Sequence, residues 1–265
     1  MHSVYKKTIN LERDGELVSI QAEDTPLSPL SLICDLSPSE MASFSLSSGD
    51  FARINNNRIV TSCCFFELEN VDSIELRLPH LAETDIDFRR QQILECLSAM
   101  MPSVGFSDLL LPGGIEYLSN PVAVFAEEIL RKSKSLFNSR DIRTAVGHLC
   151  SLIGLGIGLT PSGDDFLCGF LSGLMMYDTS FSRDIFSVLS AEIIIMLERT
   201  NEISSAFLRC AINGSFSEAL CNFSRYESST DIYNAFSVIG HSSGADSLCG
   251  LSFAFDVLRP KPPME

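Results

Sequence analysis

The chain has 265 residues, 45% of them hydrophobic, and a formal net charge of −15. That apolar fraction supplies a substantial core without disulfide staples, while the acidic balance argues against nucleic acid and anionic membrane surfaces as partners. The longest apolar run, Phe166 to Tyr177, is broken by two glycines and a serine, and a bilayer span needs roughly 20 residues.

The first 80 residues read as β structure. Tyr5–Leu11 and Leu17–Ala22 flank Arg13-Asp14-Gly15-Glu16, and Asp-Gly is a strong hairpin signal. Phe51–Ile54 and Arg58–Ser62 flank an asparagine triplet and predict a second hairpin, while Cys63–Glu67 and Ser73–Leu78 alternate as half-buried strands do. A β-rich N-terminal domain over 1–83, a small sheet or barrel, is expected.

The period changes near residue 84. Helices are predicted over Ile86–Met100, stopped by Pro102, and from Asn120-Pro121 to about Leu136. Asp141–Leu152, Ser182–Thr200, Ile203–Asn213 and Ser229–Ile239 add four more. This gives a helical domain over 84–259 and a frayed tail over 260–265; the fold class is α+β.

Nine cysteines lie in apolar surroundings without C-x-x-C spacing, and no signal-peptide pattern opens the chain. Reduced thiols in a cytoplasmic protein fit this usage. The four histidines are scattered, so neither a metal site nor a cofactor is expected.

The chemistry concentrates in two stretches. Ser162-Gly-Asp-Asp-Phe-Leu-Cys-Gly169 and Ser243-Gly-Ala-Asp-Ser-Leu-Cys-Gly250 share S-G-x-D-x-L-C-G at an offset of 81 residues. Each reads as a loop opening a helix, with hydroxyls and a carboxylate in the first turn. Glycine there permits positive φ and a close backbone approach to a ligand. Two such helices facing each other gather Thr160, Ser162, His241, Ser242 and Ser243 around one cavity, with Asp164, Asp165 and Asp246 beside them. An ordinary pair of helix caps would use the same letters, but not Thr-Pro-Ser in one copy and His-Ser-Ser in the other.

His241, Asp165 and Asp246 are the catalytic candidates. Thr160, Ser162, Gly163, Asp164, Ser242, Ser243 and Gly244 are the substrate-binding candidates, together with Arg209, which lies about one turn beyond Ser205 and could clamp an anion. Gly154, Gly156 and Gly158 miss G-x-G-x-x-G, because Leu159 takes the last glycine place, and no Walker lysine follows. Gly240-His-Ser-Ser-Gly244 matches the letters of a hydrolase nucleophile elbow, yet a helix rather than a strand is predicted before it.

These stretches resemble a bacterial family that includes the AllH-type subunit of oxamate carbamoyltransferase, which acts in anaerobic allantoin breakdown, a branch of purine catabolism. The pattern G-x-G-x-G-L-T-P-S-x-D-D stands at Gly154–Asp165, and G-H-[S/T]-S-G-A-D-x-L-x-G at Gly240–Gly250. A looser T-x-x-[IV]-S-x-x-x-L-x-x-A-x-x-G stands at Thr200–Gly214. The resemblance implies carbamoyl transfer between phosphate and the amide nitrogen of oxamate. It also implies a hetero-oligomer with a CoA-ligase-like subunit of the FdrA type and a further subunit. Two alternatives stay open: a non-catalytic subunit that binds a small anion and completes a partner's active site, and a stand-alone hydrolase.

Overall fold

A computed structural model of the chain describes residues 1–55, 57–100, 105–110 and 121–259. The chain divides into two compact units, Met1–Leu76 and Arg77–Glu265. Among the described residues no helix is long and apolar enough to cross a membrane.

The first unit holds two open sheets. In one, β1 (Ser3–Val4), β2 (Thr8–Arg13), β3 (Glu16–Gln21) and β4 (Ser31–Ile33) lie in that order, with β3 and β4 parallel. Arg13 pairs with Glu16 across Asp14 and Gly15, whose φ angles of 55° and 80° are the two positive values of a tight hairpin turn. β5 (Arg53–Asn55), β6 (Arg58–Val60) and β7 (Phe65–Glu67) form the second sheet.

Ile9, Ile20, Ile59 and Phe66 meet in one core with Met41, which sits on α1 (Pro38–Ala42). Ser37 and Glu40 cap that helix reciprocally. Of the sheet and barrel alternatives, open sheets are what forms, since neither strand order closes on itself. The expected strand at 73–78 is absent: Ile74 is exposed, and Leu78 packs instead against the helical core.

The second unit is helical: α2 (Ile86–Ala99), α3 (Pro121–Asn138), α4 (Ile142–Leu149), α5 (Ser162–Met176), α6 (Ser180–Met196), α7 (Glu202–Ile212), α8 (Glu218–Cys221), α9 (Ser229–Phe236) and α10 (Ser243–Leu258). The short α8 has no counterpart in the predicted elements. Pro102, Asn120 and the tail 260–265 lie outside the described residues.

α5 and α10 form the centre. They are buried on nearly every face, as helices enclosed by others are. Phe166 and Phe170 of α5 both pack on Phe253 of α10, with ring centroids 5.6 Å apart in each pair. Full burial of each such side chain contributes roughly 1.5–3 kcal/mol. Around the pair, α6 and α7 pack on α5, α2 packs on α10, and α9 packs on α2.

Glycines let the two central helices touch through their backbones. A Cβ on Gly169 would overlap the Ser247 carbonyl oxygen, and one on Gly250 would overlap that of Phe166. Gly250 lies 81 residues after Gly169, and Ser247 lies 81 after Phe166. The contact is therefore a pseudo-two-fold, and the duplication in the sequence is a duplication in space.

It extends backwards to the preceding helices. Gly163 lies against the Leu152 carbonyl and Gly244 against that of Phe236. Their N–H groups donate to the carbonyls of Leu155 and Ile239, at 2.9 and 3.1 Å. Each repeat is thus a helix (α4 with the 3-10 turn Cys150–Leu152 that continues it, then α9), a connection and a central helix, with connections of unequal length, 153–161 and 237–242.

Candidate active site

The two repeats meet at their helix starts. Thr160 Oγ1 and Ser243 Oγ lie 2.8 Å apart, so hydroxyls from the two turns bond one another. Neither α5 nor α10 has a side-chain cap, with Pro161 and Ser242 at the capping positions. Asn201 and Thr179 do cap α7 and α6. The serines of the repeated motif are therefore not spent as ordinary caps. Among the described residues the N–H groups of Ser162 and Ser243 have no hydrogen-bond acceptor. Both point from helix N-termini, where partial positive charge accumulates.

Gly163 and Gly244 serve the chain itself. With their N–H groups bonded to Leu155 and Ile239 and their Cα atoms against carbonyls, the close approach they allow is to protein backbone.

The three aspartates occupy different environments. Asp164 is buried and held by three donors: the Gly154 N–H at 2.9 Å, the Ser204 hydroxyl at 2.7 Å and the Thr200 hydroxyl. Burial raises its carboxyl pKa, opposed by Thr200, Ser204 and Gly154. Its oxygens are occupied in tying the first glycine-rich connection to α7. The Thr200 and Ser204 of the third motif are these donors.

Asp165 and Asp246 are the equivalent pair across the pseudo-two-fold. Burial pushes the Asp165 carboxyl well above the carboxylate range; the Ser243 and Thr160 hydroxyls pull it back, and the Asp246 charge adds to the push. Burial raises Asp246 to about 7, against the Phe106 N–H and the Ser162 and Ser242 hydroxyls. Each carboxyl thus faces the motif serine of the other repeat, Asp165 with Ser243 and Asp246 with Ser162. One oxygen on each, Oδ2, is sealed from solvent with no hydrogen-bond partner among the described residues.

The pair is not symmetric. The Phe106 N–H donates to Asp246 Oδ1 at 2.7 Å. Gly105, at φ +58°, brings the backbone so close that a Cβ there would overlap that oxygen. Asp165 has no such donor among its influences. The Gly105-Phe106 approach carries no motif, and sequence reasoning did not find it.

His241 is exposed in the second connection, with no hydrogen bond to another described residue. Arg209 is exposed on α7, off the face that buries Ser204, Leu208 and Ala211. Neither touches the paired aspartates through a hydrogen bond or ion pair. The hydrolase elbow lacks its strand, since α9 precedes Ser242.

Residues 152–255 match the family described as oxamate carbamoyltransferase subunit AllH. Residues 1–75 match the AllH family N-terminal domain. The chain belongs to the AllH family. No solved structure matches it. The AllH match spans both connections, α5, most of α10 and the α7 segment between them, taking in Asp164, Asp165, Asp246, Thr200 and Ser204. The match to the AllH N-terminal domain ends within one residue of the first compact unit.

Proposed function

We propose that the chain is a subunit of a cytoplasmic carbamoyltransferase complex. It would act with a CoA-ligase-like subunit of the FdrA type and a further subunit. The complex would move a carbamoyl group between phosphate and the amide nitrogen of a small amide acid, with oxamate and oxalurate as the acceptor and its carbamoylated form. The observation that carries this reading is the Asp165–Asp246 pair, a half-buried and a buried carboxyl that act on one another, with one sealed, unpartnered oxygen each.

The chemistry needs a group that holds and moves one proton near neutral pH. In the synthetic direction the amide nitrogen attacks the carbamoyl carbon, a C–N bond forms, the C–O bond to phosphate breaks, and the nitrogen loses a proton. In the reverse direction a phosphate oxygen attacks, the C–N bond breaks, and the leaving nitrogen regains a proton. A carboxyl raised to about 7 can do both. The facing Asp165 makes the two a coupled dyad, sharing protons as a unit.

Anion binding falls to the free N–H groups of Ser162 and Ser243 and to the Thr160, Ser162, Ser242 and Ser243 hydroxyls. They can also stabilise charge developing on the carbamoyl oxygen. No lysine lies between Lys134 and Lys261, which favours backbone and hydroxyl donors on this chain. His241, at the edge of the second turn, donates to the substrate carbonyl or exchanges its proton with solvent. Burial of Cys96 and Cys150 as thiols, each pushed up to about 12 by burial, suits a reducing compartment.

The second reading, a non-catalytic anion-binding subunit, draws on the absence of any basic side chain among the influences on the paired aspartates. One assay separates the two. The assembled complex is supplied with oxalurate and phosphate, and carbamoyl phosphate is measured. Asp246→Asn should remove turnover by about 10²–10⁴-fold with phosphate affinity retained. Full turnover by that complex would leave only the anion-binding role.

A further inference from the structure

We propose that Ile157, Leu159 and Val238, beside the two turns, form the docking surface for another subunit, and that this subunit places an arginine or lysine beside the anion held at those turns. The inference rests on the carbamoyl-transfer reading above.

The first observation is exposure. Ile157 is 91% exposed, Val238 60% and Leu159 47%. Gly156 and Gly158, at φ 131° and 103°, hold the first connection in a backbone that other residues rarely adopt, and nothing lies near Gly158. Single exposed apolar residues are common and need no explanation. Here they recur on the connections of both repeats, and the hydroxyl contact of Thr160 with Ser243 ties the ends of those connections together. Interface cores are apolar in this way, and water-facing loop tips are polar.

The second observation is charge. Oxamate, oxalurate and phosphate are anions. The groups acting on Asp165 and Asp246 are backbone, hydroxyls and other acids, with no lysine or arginine among them. A dianionic phosphate beside two carboxyls lacks a full positive counter-charge from this chain. A cation from outside supplies the complement, and a partner seated on an apolar rim delivers it to one place.

The test uses the full complex. The chain carrying Ile157→Asp or Val238→Asp is co-expressed with the other subunits of the carbamoyltransferase, and assembly is measured by light scattering on a sizing column. Both positions are exposed, so the variant chains should melt as the parent does, and each should weaken assembly at least about ten-fold. In parallel, p-benzoylphenylalanine at position 157 is photo-cross-linked in the parent complex and the joined peptides are sequenced. Cross-links should reach a peptide of another subunit that contains an arginine or lysine. Replacing that residue with alanine should lower phosphate affinity or turnover at least about 10²-fold with the complex intact. Parent-like assembly of both aspartate variants overturns the docking surface. Cross-links that stay within this chain overturn it as well. A joined peptide whose basic residues are all dispensable for turnover overturns the inserted cation. A complex that assembles through this rim but transfers no carbamoyl group overturns the reaction and leaves the surface standing.

Discussion

Gly169 and Gly250 hold the same place on opposite sides of one helix crossing, each with its Cα against a carbonyl oxygen of the other helix. Because both contacts are backbone to backbone, no side-chain rotation can relieve an added methyl. Gly169→Ala and Gly250→Ala should each cost at least about 2–3 kcal/mol through overpacking. Gly147, in α4, has open space where its Cβ would be, so Gly147→Ala should instead stabilise by about 0.5–1 kcal/mol. Urea unfolding of the three variants checks both signs. Equal effects at all three positions would contradict the packing argument.

Ser204→Ala and Thr200→Val each remove a donor from the buried Asp164. Leaving a buried carboxyl short of a partner should cost about 1–3 kcal/mol per variant. Since both donors serve one carboxyl, the double variant should depart from additivity. Denaturation midpoints for the two single variants and the double variant would show it.

Asp246 also makes stability depend on pH. Its folded-state carboxyl sits at about 7 against an ordinary value of 3.8, so folding favours the protonated form. That contribution is complete below about pH 4, declines as pH rises to about 7, and is then lost. Asp246→Asn keeps an oxygen for the Phe106 N–H and cannot ionise. The variant should therefore gain on the parent between pH 4.5 and 7.5, by on the order of a few kcal/mol. Melting temperatures that run parallel across this range would count against a buried, raised Asp246.

The direction of the reaction should set the direction of the pH profile. Carbamoyl transfer to oxamate needs the dyad able to accept a proton and should rise through about pH 7. Attack of phosphate on oxalurate needs it able to donate and should fall through the same region. Rates measured both ways in the assembled complex give the comparison, and profiles of the same hand would remove Asp246 from the proton path. His241→Gln keeps a donor on an exposed residue. If His241 relays the proton, turnover should drop by about 10²–10⁴-fold with affinity little changed; retention would limit it to orienting the carbonyl.

Much of this arrangement is legible in the amino-acid order because it depends on short-range signals. Asp14-Gly15 dictates its own hairpin, and S-G-x-D written twice announces two equivalent helix starts. The T-x-x-x-S spacing places Thr200 and Ser204 near the start of α7, although not which acid they serve. Other parts have no local signature. The N–H of Phe106 reaches Asp246 across 140 residues of chain, and backbone donors look alike in every sequence. The motif glycines were legible as special positions, but what crowds them is the Leu152 or Phe236 carbonyl, which only tertiary packing supplies. Ser73–Leu78 alternates like a strand, yet it pairs with neither sheet, and Leu78 is drawn into the helical core instead.

The unequal connections have a consequence for how such a site can change over time. Three extra residues in 153–161, and one N–H given to Asp246 and withheld from Asp165, are enough to make twin halves chemically unlike. A group passed between an oxyanion and an amide needs unlike receivers on its two sides. A duplicated scaffold can provide them while its crossing glycines stay fixed, so specificity can drift in the connections while the helices that carry them are left alone.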